Sequence, residues 1–168
     1  MRILGVDPGL RATGYALLQG SPQGVSLLAS GVIRTEDDAP LPVRLNRIHD
    51  ALGRVIAQGA PEALAVEDLY AAQRFPRTAI LMGHVRGIVC LAAAQRRITV
   101  DALSPAAAKQ AIAGFGGASK AQMQRSVQRV LRLRAPVDPH AADAAALALV
   151  ALSRRGVPLV ATPLEAAR

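Results

Sequence analysis

Three apolar runs separated only by turns open the chain, and that ordering restricts the fold more than any other feature. Residues 3–6 are apolar and end at Asp7 and the turn pair Pro8-Gly9. Thr13-Gly14-Tyr15-Ala16-Leu17-Leu18 reads as a second strand, and after the Gly/Ser/Pro turn at 20–24 residues 25–33 alternate well enough to make a third. Runs this close together can only fold back on one another, so an antiparallel meander is expected first. Helices and strands alternate afterwards. Leu41, Leu45, Ile48, Leu52, Val55 and Ile56 recur at spacings of three and four, which predicts an amphipathic helix over about 42–58. Leu64-Ala65-Val66 is a short strand stopped by Glu67-Asp68, and residues 77–97 form a long helix. Residues 98–103 make the fifth strand. The sum is an α/β chain with a mixed five-stranded sheet flanked by helices.

The third helical stretch begins at Ser104-Pro105, a capping residue followed by proline, and holds Lys109 before Gly114, Gly116 and Gly117 break it. Ser119 can cap the next helix, in which Lys120, Arg125, Arg129 and Arg132 surround Met123, Val127, Val130 and Leu131. The last helix starts near Asp138-Pro139, where Asp138 fits a cap rather than a metal ligand, and is stopped by Gly156 and Pro158. One domain over residues 1–157 with a loose tail at 158–168 is the expected organisation. The helix at 77–97 stands apart, because Ile80, Leu81, Met82, Val85, Ile88, Val89 and Leu91 spread around most of its circumference. Such a helix needs two partners: a fully buried position inside one domain would satisfy it, and in a chain of 168 residues a homodimer interface is an expectation of at least equal weight.

Composition supports a folded chain with a polyanionic partner. Hydrophobic residues make up 51% and charged residues 19%, which supplies a core. The net charge is +8, and all but two of the basic residues are arginine, the side chain that grips phosphate bidentately. The single Cys90 lies in an apolar run and reads as a small buried hydrophobe. No leader or membrane-spanning run is evident, so a cytoplasmic location is expected.

Carboxylates end two separate strands, Asp7 and Glu67, and would meet if those strands were neighbours. His140 and Asp143 stand three residues apart, on one face of the last helix close to its start. Asp143 is flanked by small apolar residues, where an unpaired charge would be costly. Three carboxylates with one imidazole suit a hard divalent ion, and a pair of ions could clamp both oxygens of a phosphoryl displacement.

These segments resemble the RuvC family of Holliday-junction resolvases. The resemblance rests on Ile3-Leu4-Gly5-Val6-Asp7-Pro8-Gly9-Leu10-Arg11-Ala12-Thr13-Gly14-Tyr15, Ala65-Val66-Glu67-Asp68-Leu69-Tyr70, Gly83-His84-Val85-Arg86-Gly87, Lys109-Gln110-Ala111, Gly114-Phe115-Gly116, Ser119-Lys120 and His140-Ala141-Ala142-Asp143-Ala144, spread over about residues 1–155. It implies an RNase H-like fold, a homodimer, symmetric Mg²⁺-dependent nicks across a four-way DNA junction, and RuvA and RuvB as branch-migration partners. It assigns Asp7, Glu67, His140 and Asp143 to a catalytic site holding two Mg²⁺ ions per subunit. In the family the position of His140 is often aspartate; the imidazole makes this site one charge less anionic and suggests that Mn²⁺ substitutes readily. The same resemblance places Tyr70 against unstacked bases. Lys109 and Lys120 fall beside the scissile phosphate, and Arg74 and Arg77 on the DNA backbone. Three other readings are weaker. A two-lobed ATPase needs more chain than this, a non-catalytic junction binder would not set acids beside phosphate, and a nuclease of RNA hybrids differs only in substrate.

Overall fold

The computed structural model describes residues 1–68, 76–104, 108, 110–112, 114 and 117–162, with the side chains of 76 and 77 left out. Its strands are β1 (Arg2–Asp7), β2 (Ala12–Ser21), β3 (Gly24–Arg34), β4 (Ala63–Glu67) and β5 (Thr99–Leu103). The described helices are α1 (Leu41–Gly59), α2 (Pro76–Ala94), α3 (Lys120–Val130) and α4 (Pro139–Ser153). Each element named from periodicity is present to within a few residues. The stretch opened by Ser104-Pro105 is described only in part, and residues 108 and 110–112 are helical.

The sheet runs β3-β2-β1-β4-β5. β1, β2 and β3 pair antiparallel as the expected meander, whereas β4 and β5 join parallel, each reached through a helix. The two acid-bearing strands are therefore neighbours, with Ile3 opposite Ala63 and Val6 opposite Val66. Because side chains alternate along a strand, this register sorts the core into two layers. Leu4, Val6, Leu64 and Val66 face α1 and α2, joining Ile48, Leu52, Ile56, Val85 and Val89. Ile3, Ala63 and Ala65 face the other way, towards α4 and α3. A fully buried leucine such as Leu4 or Leu64 contributes about 1.5–3 kcal/mol, and both layers hold several.

α4 lies unusually close to the sheet. A methyl group added at Gly5 would overlap the carbonyl oxygen of Ala144, and one added at Gly14 would overlap that of His140. Glycine on β1 and β2, opposite a helix built largely of alanine, lets main chain approach main chain. The N-terminus of α4 is thereby pressed against the end of β1.

Two expectations need adjusting. Cys90 is free and only partly buried, so it is less enclosed than a core residue. Part of the segment expected to be a loose tail is pinned: Val25 donates to the Val160 carbonyl at 2.7 Å, and Thr162 donates back to Val25 at 2.8 Å. Among the described residues no helix is long and apolar enough to cross a membrane.

Candidate active site

Strand alternation decides where the acids point. Asp7 follows Val6 and Glu67 follows Val66 in register, so both belong with Gly5 and Ala65 on the face that α4 covers. There α4 contributes His140 and Asp143 from its first turns. A cleft of ≈ 310 Å³ is lined by Asp7, Glu67, Lys120, Asp143, Ala108, Met123, Ala146 and Leu147. A neighbouring cleft of ≈ 620 Å³ shares the same three acids and Lys120, and adds His140, residues 8–12, Arg44 and three residues of α2. Both clefts open at the carboxyl ends of parallel strands, the position at which open sheets of this kind receive ligands.

Asp7 and Asp143 each have a defined neighbour. His140 Nδ1 lies 2.9 Å from Asp7 Oδ2, with the Asp7 side chain only 17% exposed. Burial raises the Asp7 carboxyl above the ordinary aspartate range, and the charge of Asp143 adds to the rise; the His140 hydrogen bond and the charges of His140 and Lys120 pull the other way without cancelling it. Lys120 Nζ contacts Asp143 Oδ2 at 2.7 Å. That hydrogen bond, together with the charges of Asp143, Asp7 and Glu67, raises the Lys120 ammonium above the usual lysine range and keeps it charged. Among the described residues no three acids and histidines close into a metal-binding geometry, because Asp7 and Asp143 turn to His140 and Lys120.

Local structure explains these positions. Ser119 and Gln122 form a reciprocal cap, with Ser119 N donating to Gln122 Oε1 at 2.8 Å, and this starts α3 so that Lys120 is its first residue. A cation there opposes the helix dipole; the three acids opposite provide the compensation. Asp138 accepts from the His140 main-chain N–H at 2.9 Å through one carboxylate oxygen and from Arg34 Nη2 at 2.8 Å through the other. Both oxygens are thus engaged away from the clefts, in agreement with the capping role read from Asp-Pro.

The loop after Asp7 is braced from two sides. Thr13, fully buried, donates its hydroxyl to the Gly9 carbonyl at 2.7 Å. Arg44, almost entirely buried, donates to Thr35 Oγ1 at 2.8 Å and to the Leu10 carbonyl at 3.3 Å. Of the residues assigned to DNA, Lys120 is brought into the site, whereas Tyr70, Arg74 and Lys109 and the side chain of Arg77 lie outside the described residues. Sequence reading gave no role to Gly5, Gly14, Thr13 or Arg44. The available signal was glycine inside a strand pattern, which marks a close backbone approach.

Comparison with known proteins agrees with this architecture. The family model described as "Crossover junction endodeoxyribonuclease RuvC" matches residues 3–151. The chain is 42% identical over 148 residues to the protein of that name from Rhodopirellula baltica, covering 88% of this chain and 83% of the relative. It is 41% identical over 168 residues to that from Halorhodospira halophila, covering 99% of each. The structure superposes with a TM-score of 0.85 on T. thermophilus RuvC in complex with Holliday junction substrate, at 33% identity, covering 93% of this chain and 96% of that one. The mixed sheet and flanking helices are thus an RNase H-like fold, and the chain belongs to the RuvC family of crossover junction endodeoxyribonucleases.

Proposed function

We propose that this endonuclease works as a cytoplasmic homodimer that resolves four-way DNA junctions by paired, symmetric hydrolysis of phosphodiesters, with Asp7, Glu67, His140 and Asp143 holding divalent cations. The observation that carries the reading is the convergence of three carboxylates, an imidazole and an ammonium on shared clefts at the carboxyl ends of β1 and β4. Support also comes from the relative whose structure contains a Holliday junction.

Nucleases of this family depend on a divalent metal, and the donor set fits a hard ion: carboxylate oxygens, one imidazole and no thiolate. Asp7 is compatible with this, since burial raises its carboxyl despite His140 and Lys120, and a further cation would favour its charged form. Mg²⁺, two ions per subunit, is the proposed occupant, with Mn²⁺ as a substitute. A bound cation would supply charge to the scissile phosphate and acidify a water.

The chain's own groups do the positioning. Nδ1 of His140 is taken up by Asp7, so Nε2 is the ring nitrogen left to meet a cation. The Lys120 ammonium, free to leave Asp143 for a phosphate oxygen, balances negative charge that develops during displacement. Tyr70, Arg74, Arg77 and Lys109 are assigned to DNA on family resemblance. The homodimer contact is the outward stripe of α2, where Ile80 is 61% and Leu91 47% exposed and His84 and Gly87 are exposed between them. A two-fold dimer presents two equivalent sites to a junction of matching symmetry. RuvA and RuvB are the proposed branch-migration partners.

The test is to incubate the protein with a synthetic four-way junction, a linear duplex and an RNA–DNA hybrid, with and without Mg²⁺ or Mn²⁺. Paired nicks in the junction alone, dependent on the cation, are expected. Cleavage of the hybrid in preference to the junction, or nicking that persists in a chelator, would overturn the reading.

A further inference from the structure

We infer that Arg86, on α2, is a positioning residue for Glu67. The inference rests on reading Glu67 as a cation ligand. From α2 the guanidinium reaches the carboxyl end of β4, where Nε donates to the main-chain carbonyl of Glu67 at 3.2 Å. Nη2 donates to Oδ1 of Asp68 at 3.1 Å. The Asp68 amide in turn donates to the Leu103 carbonyl at 2.8 Å, at the end of β5. The residue that carries the carboxylate and the residue after it are therefore held from β5 on one side and from α2 on the other.

Such a brace answers a local need. The pairing of β1 with β4 ends at Val6 and Val66, so at Glu67 the ladder continues only towards β5, opposite Leu103. A strand end paired on one side is held less firmly by the ladder than one paired on both, and the orientation of a metal ligand depends on such outer support. The planar guanidinium engages two acceptors of fixed separation and so restrains orientation as well as distance, which an ammonium cannot do. Its starting point is firm, because Val85 and Val89 anchor α2 in the core at 0% exposure.

Stability alone does not account for the contact. The Arg86 side chain is 27% and that of Asp68 40% exposed, and ion pairs so open to water contribute little to stability. One helix thus bears both the proposed subunit contact, on its outward stripe, and the arm that sets Glu67.

The experiment compares Arg86→Gln, Arg86→Lys and Glu67→Gln. It measures Mn²⁺ binding to the DNA-free protein from the electron paramagnetic resonance signal of free Mn²⁺, and junction affinity in chelator from gel mobility. Arg86→Gln should bind Mn²⁺ about tenfold more weakly, the size of effect seen when an outer partner of a metal ligand is removed. Its junction affinity should be unchanged, and Arg86→Lys should recover part of the Mn²⁺ loss. Weak Mn²⁺ binding by Glu67→Gln with wild-type binding by Arg86→Gln overturns the role of Arg86 alone. Wild-type binding by both variants overturns the cation assignment of Glu67 and the role of Arg86 with it. Reduced junction affinity with unaltered Mn²⁺ binding makes Arg86 a DNA contact instead, and also overturns the inference. Should Arg86→Gln fail to fold, Arg86→Met keeps the apolar stem of the side chain while removing every donor, and unchanged Mn²⁺ affinity in that variant is equally decisive against the inference.

Discussion

Asp7 is held where its ionised form is disfavoured, because burial raises its carboxyl pKa despite the His140 hydrogen bond. A carboxylate whose folded pKa lies above its unfolded value weakens the fold once ionised; the penalty is complete above the folded pKa and vanishes below the unfolded one. Asp7→Asn should therefore raise the Tm of the cation-free protein at neutral pH, by about 2–4 °C if the penalty is near 1 kcal/mol. The gain over wild type should shrink as the pH falls through the folded pKa of Asp7, and junction cleavage should be lost throughout. Thermal melts across pH in chelator check this, and a lower Tm for Asp7→Asn at neutral pH would contradict it. At this scale an acid that ends one strand is by itself more often a solvated loop residue, and the acids were read from their expected convergence and from the family resemblance. Asp138 was legible too, since Asp before Pro at a helix start is a cap. Arg86 was not, because one arginine among many on a basic chain carries no signal until its acceptors are seen.

The elements were easier to read than their separations. Apolar runs, periodicity and start and stop residues located the described strands and helices, and two acid-terminated strands implied a shared pocket if they were neighbours, as they are. What could not be read was how closely α4 would sit on β1 and β2, since that distance is fixed by missing side chains at Gly5 and Gly14 rather than by any that are present. Gly14→Ala should force the His140 end of α4 away from the sheet, costing about 1–3 kcal/mol or more from overpacking. Urea unfolding should show the loss, and cleavage at a temperature where the variant remains folded should fall further than stability alone requires, because the imidazole moves off Asp7. Stability and cleavage both close to wild type would show that α4 slides without consequence. The apolar circumference of α2 was also legible, and the structure divides it: Val85, Val89, Ala92 and Ala93 are buried, and Ile80 and Leu91 face outward.

For the whole molecule, that outward stripe bears on the number of nicks rather than their chemistry. If the proposed dimer forms through that stripe, Ile80→Glu combined with Leu91→Glu should leave only monomers in sedimentation velocity where the wild type is dimeric, and should replace paired resolution of a junction by single nicks at a reduced rate. A dimer that survives both substitutions would place the contact elsewhere. The remaining piece of architecture that sequence reading misjudged is the strip at 160–162 laid along β3. β3 is the outermost strand on its side of the sheet, and the amide and carbonyl of Val25 would otherwise face open water there. Unsatisfied strand edges recruit one another. A chain shortened to end at Pro158 should keep its nicking rate yet lose solubility, with light scattering rising steeply with protein concentration, the outcome expected if the strip at 160–162 guards against fibrous self-association.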